Sequence, residues 1–200
     1  TQALVTAVSA PTAEGRLYQV DMRLRPSGRQ GPVATSLKAF TAYQKEEAWT
    51  WEHLALTRAR PMAGEASLLA DIEAVRTDVL ALSRDDGQVR RDVGDMRVRL
   101  HEAKPARHWL EVGAGAGGLQ DIDLLAQSGA LVAGAKMRRL TDQIGAASER
   151  LSLDPAELEA LRAAQSLFWT IRTGARLVFG EAMPGEIGAG AAGFLHRITG

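Results

Sequence analysis

The sequence predicts a mainly α fold, with a small α+β remnant over residues 1–63 followed by an all-helical, bundle-like domain over 64–200. Three observations predict it. Only one stretch, RLYQVDMRL over 16–24, alternates apolar and polar residues as a half-buried strand does. From Ser36 onward apolar residues recur every three or four positions, the helical period. Pro61 and Pro155 stand where they punctuate those helical stretches: Pro61 closes one and Pro155 opens another.

Taken in chain order, residues 1–10 read as the end of a helix with Leu4, Val5 and Val8 on one side, and APTAEG over 10–15 breaks it. In the strand that follows, Tyr18, Val20, Met22 and Leu24 face inward, while Gln19, Asp21, Arg23 and Arg25 face the other way. A polar turn over Pro26–Pro32 leads to a helix in one or two pieces, with Ser36 as its N-cap and Pro61 as its stop. Leu68, Ile72, Val75, Val79 and Leu82 form an amphipathic stripe, and Val89, Val93, Met96 and Leu100 form the next. VGAGAGGLQ over 112–120 interrupts the pattern before Leu119, Ile122, Leu125 and Leu131 resume it. Asp154, Pro155 and Glu157 fit N-cap, N1 and N3 of a capping box, starting a helix that runs to about Phe179. Gly-rich PGEIGAGAAG and a short last helix complete the chain.

Lys plus Arg equals Asp plus Glu at 24 each, so no overall basic field points to nucleic acid or an anionic membrane. With no Cys there are no disulfides or thiolate metal sites, which suits a reducing, cytoplasmic setting. His53, His101, His108 and His196 are scattered without metal-ligand spacing and read as packing or surface residues. No apolar run approaches the roughly 18 residues of a membrane span, and no signal peptide is visible. The chain begins at Thr1 without an initiator Met and reads as a piece of a longer protein.

The chemistry concentrates in VDMRLRPSGRQG, residues 20–31. Strand residues two apart lie on one face at roughly 6.5–7 Å, so Asp21, Arg23 and Arg25 project side by side. A carboxylate beside guanidinium groups suits phosphoryl or nucleotidyl transfer: the acid holds Mg²⁺ and the arginines neutralise phosphate oxygens. Ser27 and Gly28 add a hydroxyl and a backbone N–H to such a cradle. The same residues also read as a surface ion pair and an ordinary turn. One carboxylate does not complete a two-metal site, and no Asp-x-Asp pair precedes Asp21.

YQVDMRLRPSGRQG, EEAWTWEHLALTRARPMAG and AGGLQDIDLLAQ together resemble the bifunctional glutamine-synthetase adenylyltransferase/adenylyl-removing enzymes, in that family's order and spacing and over nearly the whole chain. The resemblance implies that residues 1–63 are the last part of a nucleotidyltransferase domain and 64–200 the helical domain behind it. The EEAWTWEHLALTRAR form resembles the C-terminal half, which transfers AMP from ATP to a tyrosine of glutamine synthetase. Asp21 then corresponds to the third carboxylate of a Mg²⁺ site, with Arg23 and Arg25 as its phosphate-side neighbours. The family's Gly-Ser element and strand-borne Asp-x-Asp pair match nothing here and are expected before Thr1, so the fragment is expected to be inactive alone. Alternatives are a regulatory or docking module that binds glutamine synthetase or the PII-type signal protein, the AMP-removing half, or the related uridylyltransferases.

Two further places carry alternatives. On the second block, Trp49, His53, Leu56 and Arg60 share a helical stripe; the tryptophans are expected to seal a junction between domains. Arg58 and Arg60 either contact nucleotide or partner, or pair with acids. Gly117 and Gly118 precede a helix bearing Asp121 and Asp123, and either bind an anion through free N–H groups or make a tight turn. The family pattern, closer to GGxxDIEF, has a Lys where Gly113 aligns and a Glu at Asp123. Asp121 and Asp123 point about 200° apart on a helix and so cannot share one metal.

Overall fold

The computed structural model describes residues 2–13, 15, 20–21, 31–180 and 184–200. Among these are nine helices: α1 Gln2–Ser9, α2 Leu37–Glu46, α3 Thr50–Arg58, α4 Ala66–Leu80, α5 Asp86–Ala103, α6 Leu119–Val132, α7 Leu140–Leu151, α8 Pro155–Phe179 and α9 Ala189–Thr199. The mainly α expectation is met. Of the expected strand at 16–24 only Val20 and Asp21 are described, and both are exposed, although Val20 was expected to face inward. The only extended pairing among the described residues is an isolated bridge from Thr12 to Gly15.

Local chemistry sets the helix ends. Ser36 caps α2 by accepting from the Ala39 N–H at 3.2 Å. The stretch from Ser36 to Pro61 forms two helices, because Trp49 is extended (ψ 160°) and restarts the chain as N-cap of α3. At α8, Asp154 accepts from the Glu157 N–H at 2.8 Å and Glu157 accepts from the Asp154 N–H at 2.9 Å, the reciprocal pair of a capping box. α8 ends at Phe179, as its apolar period predicts.

Packing centres on α6, which is buried on two faces. Leu124 and Leu131 join Leu54 and Leu56 of α3 and Val79 and Leu80 of α4, with Val93, Met96 and Leu100 of α5 against them. Ile122 and Ala126 turn the other way and meet Ile144 of α7, with Leu158, Leu161 and Phe168 of α8 behind it. α6 and α7 approach until a Cβ on Gly129 would lie 2.2 Å from that of Ala147, which only glycine permits. A third cluster joins Leu110, Ala175 of α8 and Leu195 of α9. The first core takes residues from both sides of position 63.

The α4 stripe is shorter than the sequence predicts: Leu68 and Leu82 are 43% and 40% exposed, since the helix ends at Leu80 and its core face is Arg76, Val79 and Leu80. Trp49 and Trp51, expected to seal a junction, are 70% and 38% exposed. The charged stretch 83–92 leads into α5, with Asp85 as N-cap. Arg84 donates to the carbonyls of Val79, Leu80 and Leu82 at 2.7, 3.2 and 2.7 Å, closing the C-terminal end of α4.

Candidate functional site

The EEAWTWEHLALTRAR block is held from below by buried polar groups. Glu52 is buried at the start of α3, where its carboxylate accepts from the Tyr43 hydroxyl and from the Trp49 N–H at 3.0 Å. The His53 Nε2–H donates to the Gln44 carbonyl at 2.9 Å. Burial lowers the His53 pKa; the bond to Gln44 opposes this, the nearby Arg84 charge reinforces it, and Glu52 opposes it weakly.

At the other end of α3 the last carbonyls are orphaned by helix geometry and need donors from elsewhere. Arg76, 2% exposed, gives its Nε–H to Leu56 O and an Nη2–H to Thr57 O, both at 2.7 Å, and reaches Lys136 O at 3.1 Å. Its Nη1 meets Glu73 at 3.1 Å. Arg138 donates to Ala59 O at 2.7 Å and also pairs with Glu73. The Gln143 amide adds a bond to Thr57 O at 3.3 Å. Sequence reading missed Glu73, Arg76, Arg138 and Gln143. The signal for Arg76 was available: a charged residue stands between Ile72 and Val79 on the apolar stripe of α4.

From this anchored end project the two arginines the sequence singled out. Arg58 pairs with Asp123 Oδ2 at 3.3 Å, so the pairing alternative holds for it. Arg60 is exposed and makes no hydrogen bond or ion pair with any described residue. Asp21 is exposed and is the one member of its group that is described; Arg23, Arg25, Ser27 and Gly28 lie outside the described residues. Among the described residues no three His, Asp or Glu side chains converge on a metal position. They do not by themselves fit Mg²⁺.

The glycine pair makes a tight turn. Gly117 takes a φ of +76°, in the left-handed region that glycine enters freely. Its N–H donates to Asp121 Oδ2 at 2.7 Å. The next N–H groups are also engaged: Gly118 with Gly115 O, Leu119 with Val112 O, Gln120 with Gly113 O and Asp121 with Gly118 O. The N–H groups of residues 117–121 are thus all taken. A Cβ at Gly118 would lie 2.3 Å from Val112 O, so the residue is fixed by close backbone approach.

Asp121 and Asp123 diverge, as the helical period requires. Asp121 also accepts from Arg97 at 2.8 Å and from His101 at 3.0 Å. Partial burial works against its ionisation, but the bonds from Arg97 and the Gly117 N–H, with the Arg97 and His101 charges, hold its pKa below the ordinary value. For Asp123 the balance reverses: burial pushes its pKa up, against the opposing Arg58 and Arg172.

Beside this helix lies a cleft of about 630 Å³, bounded by the 104–114 segment, the start of α6 and the last turns of α8. Its charged lining is Lys104, Arg107, Glu111, Asp123, Arg172 and Arg176. Gly113, where the family pattern carries a lysine, borders it with nothing within 4 Å of a built Cβ.

Comparison with known proteins gives one consistent result. The glutamate-ammonia ligase adenylyltransferase family matches residues 1–75. A protein of Rhizobium meliloti (strain 1021) named bifunctional glutamine synthetase adenylyltransferase/adenylyl-removing enzyme is 53% identical over 136 residues, covering 68% of this chain and 14% of the relative. Its namesake in Brucella suis biovar 1 (strain 1330) is 41% identical over 185 residues, covering 91% and 19%. The one in Mesorhizobium japonicum (strain LMG 29417 / CECT 9101 / MAFF 303099) is 51% identical over 127 residues, covering 64% and 13%. The chain thus spans less than a fifth of the length of these relatives.

Proposed function

The chain belongs to the glutamate-ammonia ligase adenylyltransferase family, and on that premise we propose that it is part of an enzyme that moves AMP from ATP to a tyrosine of glutamine synthetase. The observation that supports this reading is the 53% identity, over 136 residues, to a protein named bifunctional glutamine synthetase adenylyltransferase/adenylyl-removing enzyme. The chain resembles the C-terminal, AMP-transferring half, through the EEAWTWEHLALTRAR block. Asp21 would be one of the carboxylates that hold Mg²⁺, and the ion would supply polarisation of phosphate oxygens and of the attacking hydroxyl. Arg23 and Arg25 face the phosphates of ATP, with Ser27 and Gly28 at the turn beside them. The two-domain division at residues 63/64 and a cytoplasmic setting belong to the same reading; none of the described helices is long and apolar enough to cross a membrane.

Two measurements test it. Asp21→Asn in the full-length enzyme is expected to abolish incorporation of labelled AMP into glutamine synthetase, and wild-type-like transfer removes Asp21 from the reaction. The 200-residue chain alone, in which no Asp-x-Asp pair precedes Asp21, is expected to transfer no AMP in the presence of ATP and Mg²⁺. Measurable transfer by it overturns the incomplete-site reading.

A docking role is supported by a different observation. On α8, Trp169, Leu177 and Val178 are 56%, 76% and 40% exposed, an unusual density of large apolar side chains on one helix. Glutamine synthetase or the PII-type signal protein is the partner this second reading offers. Capture of either by the chain, lost in Trp169→Ala with Leu177→Ser, supports it; capture unaffected by those changes rejects it.

A further inference from the structure

The cleft beside α8 holds more positive charge than its surroundings balance. Lys104, Arg107, Arg172 and Arg176 line it against Glu111 and Asp123. Both acids are already engaged: Glu111 accepts from the Arg107 backbone N–H at 2.6 Å, and Asp123 pairs with Arg58. Elsewhere in this electrically neutral chain the arginines that meet carboxylates do so closely, as in Arg90–Asp86, Arg97–Asp121 and Arg138–Glu73. Among the described residues, the side chains of Lys104, Arg107 and Arg176 make no ion pair or hydrogen bond, and Arg172, whose charge acts on Asp123 without a hydrogen bond to it, lies over the Trp169 ring at 5.7 Å.

Arg172 and Arg176 stand one turn apart on α8, where like charges repel. Low-dielectric walls from the buried Leu110 and Leu119 sharpen the field inside the cleft. A volume of about 630 Å³ falls within the roughly 300–1,000 Å³ of small-molecule sites and is too narrow a feature for a duplex or a membrane. Two guanidinium forks from one helix suit bidentate contact with a tetrahedral oxyanion, and a lysine adds a point charge.

We propose that this cleft binds a small phosphate-bearing anion through Arg172 and Arg176, with Lys104 and Arg107 at its rim, independently of Mg²⁺ and of Asp21. The site goes beyond the adenylyltransferase reading and does not rest on it. Its donors are side chains from two segments, since the N–H groups of the neighbouring glycine turn are engaged within the turn.

The test is calorimetric titration of the chain with inorganic pyrophosphate in EDTA at about 150 mM salt, with succinate as the dicarboxylate arm. Saturable one-site binding of pyrophosphate is expected, weakened roughly tenfold or more by Arg176→Gln and further in Arg172→Gln/Arg176→Gln. Arg90→Gln, a change in an exposed pair on α5, is expected to leave it unchanged. Far-UV circular dichroism and Tm establish that each variant is folded; because Arg176 is exposed, its single variant keeps the test open if the double variant does not fold. Absence of saturable binding, equal affinity in Arg176→Gln, loss in Arg90→Gln, or binding of succinate without pyrophosphate overturns the proposal. Wild-type-like AMP transfer by Asp21→Asn in the full-length enzyme, with pyrophosphate binding by the chain intact, would instead count against the enzymatic reading alone.

Discussion

Arg76 and Arg176 carry the same guanidinium group into two regions that treat it in opposite ways. At the C-terminal end of α3, Arg76 is 2% exposed and its N–H groups are taken by three backbone carbonyls and by Glu73. In the cleft, Arg176 is exposed and has no such partner among the described residues. Burial, with the neighbouring Arg138 charge, lowers the Arg76 pKa against the pull of Glu73. The first region uses charge to terminate a helix and join α3, α4 and the 136–138 segment; the second holds charge toward open space. Residue type alone therefore separates structural from ligand-directed arginines poorly; how completely the donors are used separates them well.

The largest effect expected from breaking this contrast is at the buried end. Arg76→Met leaves the carbonyls of Leu56, Thr57 and Lys136 without that donor and Glu73 with one cation fewer, and is expected to cost about 3–5 kcal/mol. Urea denaturation measures it, and a loss below 1 kcal/mol would show that the network is not a structural joint. Next comes the glycine turn that borders the cleft. Gly118→Ala drives a Cβ to 2.3 Å from Val112 O and is expected to cost about 1–3 kcal/mol, read as a lower Tm; an unchanged Tm would mean the turn is not held by that close approach.

Asp121 and Asp123 repeat the contrast on a smaller scale and give it a pH signature. The Asp121 pKa is depressed, so its stabilising contribution is present above the unfolded value and is lost as pH falls through the folded one. Asp121→Asn is expected to cost about 1–2 kcal/mol at pH 7, with the gap to wild type closing as pH falls through 3.8 and below. The Asp123 pKa is raised, so its contribution is present below the unfolded value and is lost as pH rises through the folded one. Asp123→Asn is expected to change stability at pH 7 by less than about 0.5 kcal/mol, with no acid-closing gap. Matching pH profiles for the two variants would refute the assignment. Smallest of all, Arg176→Gln is expected to leave stability within about 0.5 kcal/mol of wild type. A larger loss in urea would mean that Arg176 is structural after all.

Much of the helical layout was legible because local chemistry writes it. The Asp154–Glu157 capping box, the Ser36 cap and the Val89–Leu100 stripe depend on residues three or four apart, and each formed as read. The α4 stripe was overextended at Leu68 and Leu82, because periodicity does not say where neighbouring helices stop covering a face. Trp49 and Trp51 were misjudged for the same reason: size predicts a wish for burial, and only the packing partners decide whether it is met. The chemistry of VDMRLRPSGRQG could be read only as a spacing argument and a resemblance; of its candidates, Asp21 alone is described.

By itself, then, the sequence determined the starts of α2 and α8, the family, and the divergence of Asp121 from Asp123, because each follows from short-range spacing or from long matching strings. Tertiary structure alone decided that α6 is buried on two faces, that Arg76 and Arg138 close the end of α3, and that Lys104 and Arg107 meet Arg172 and Arg176 around one cleft. Those pairings join residues tens of positions apart. Their energies come from burial and from the use of every donor, which no local pattern encodes.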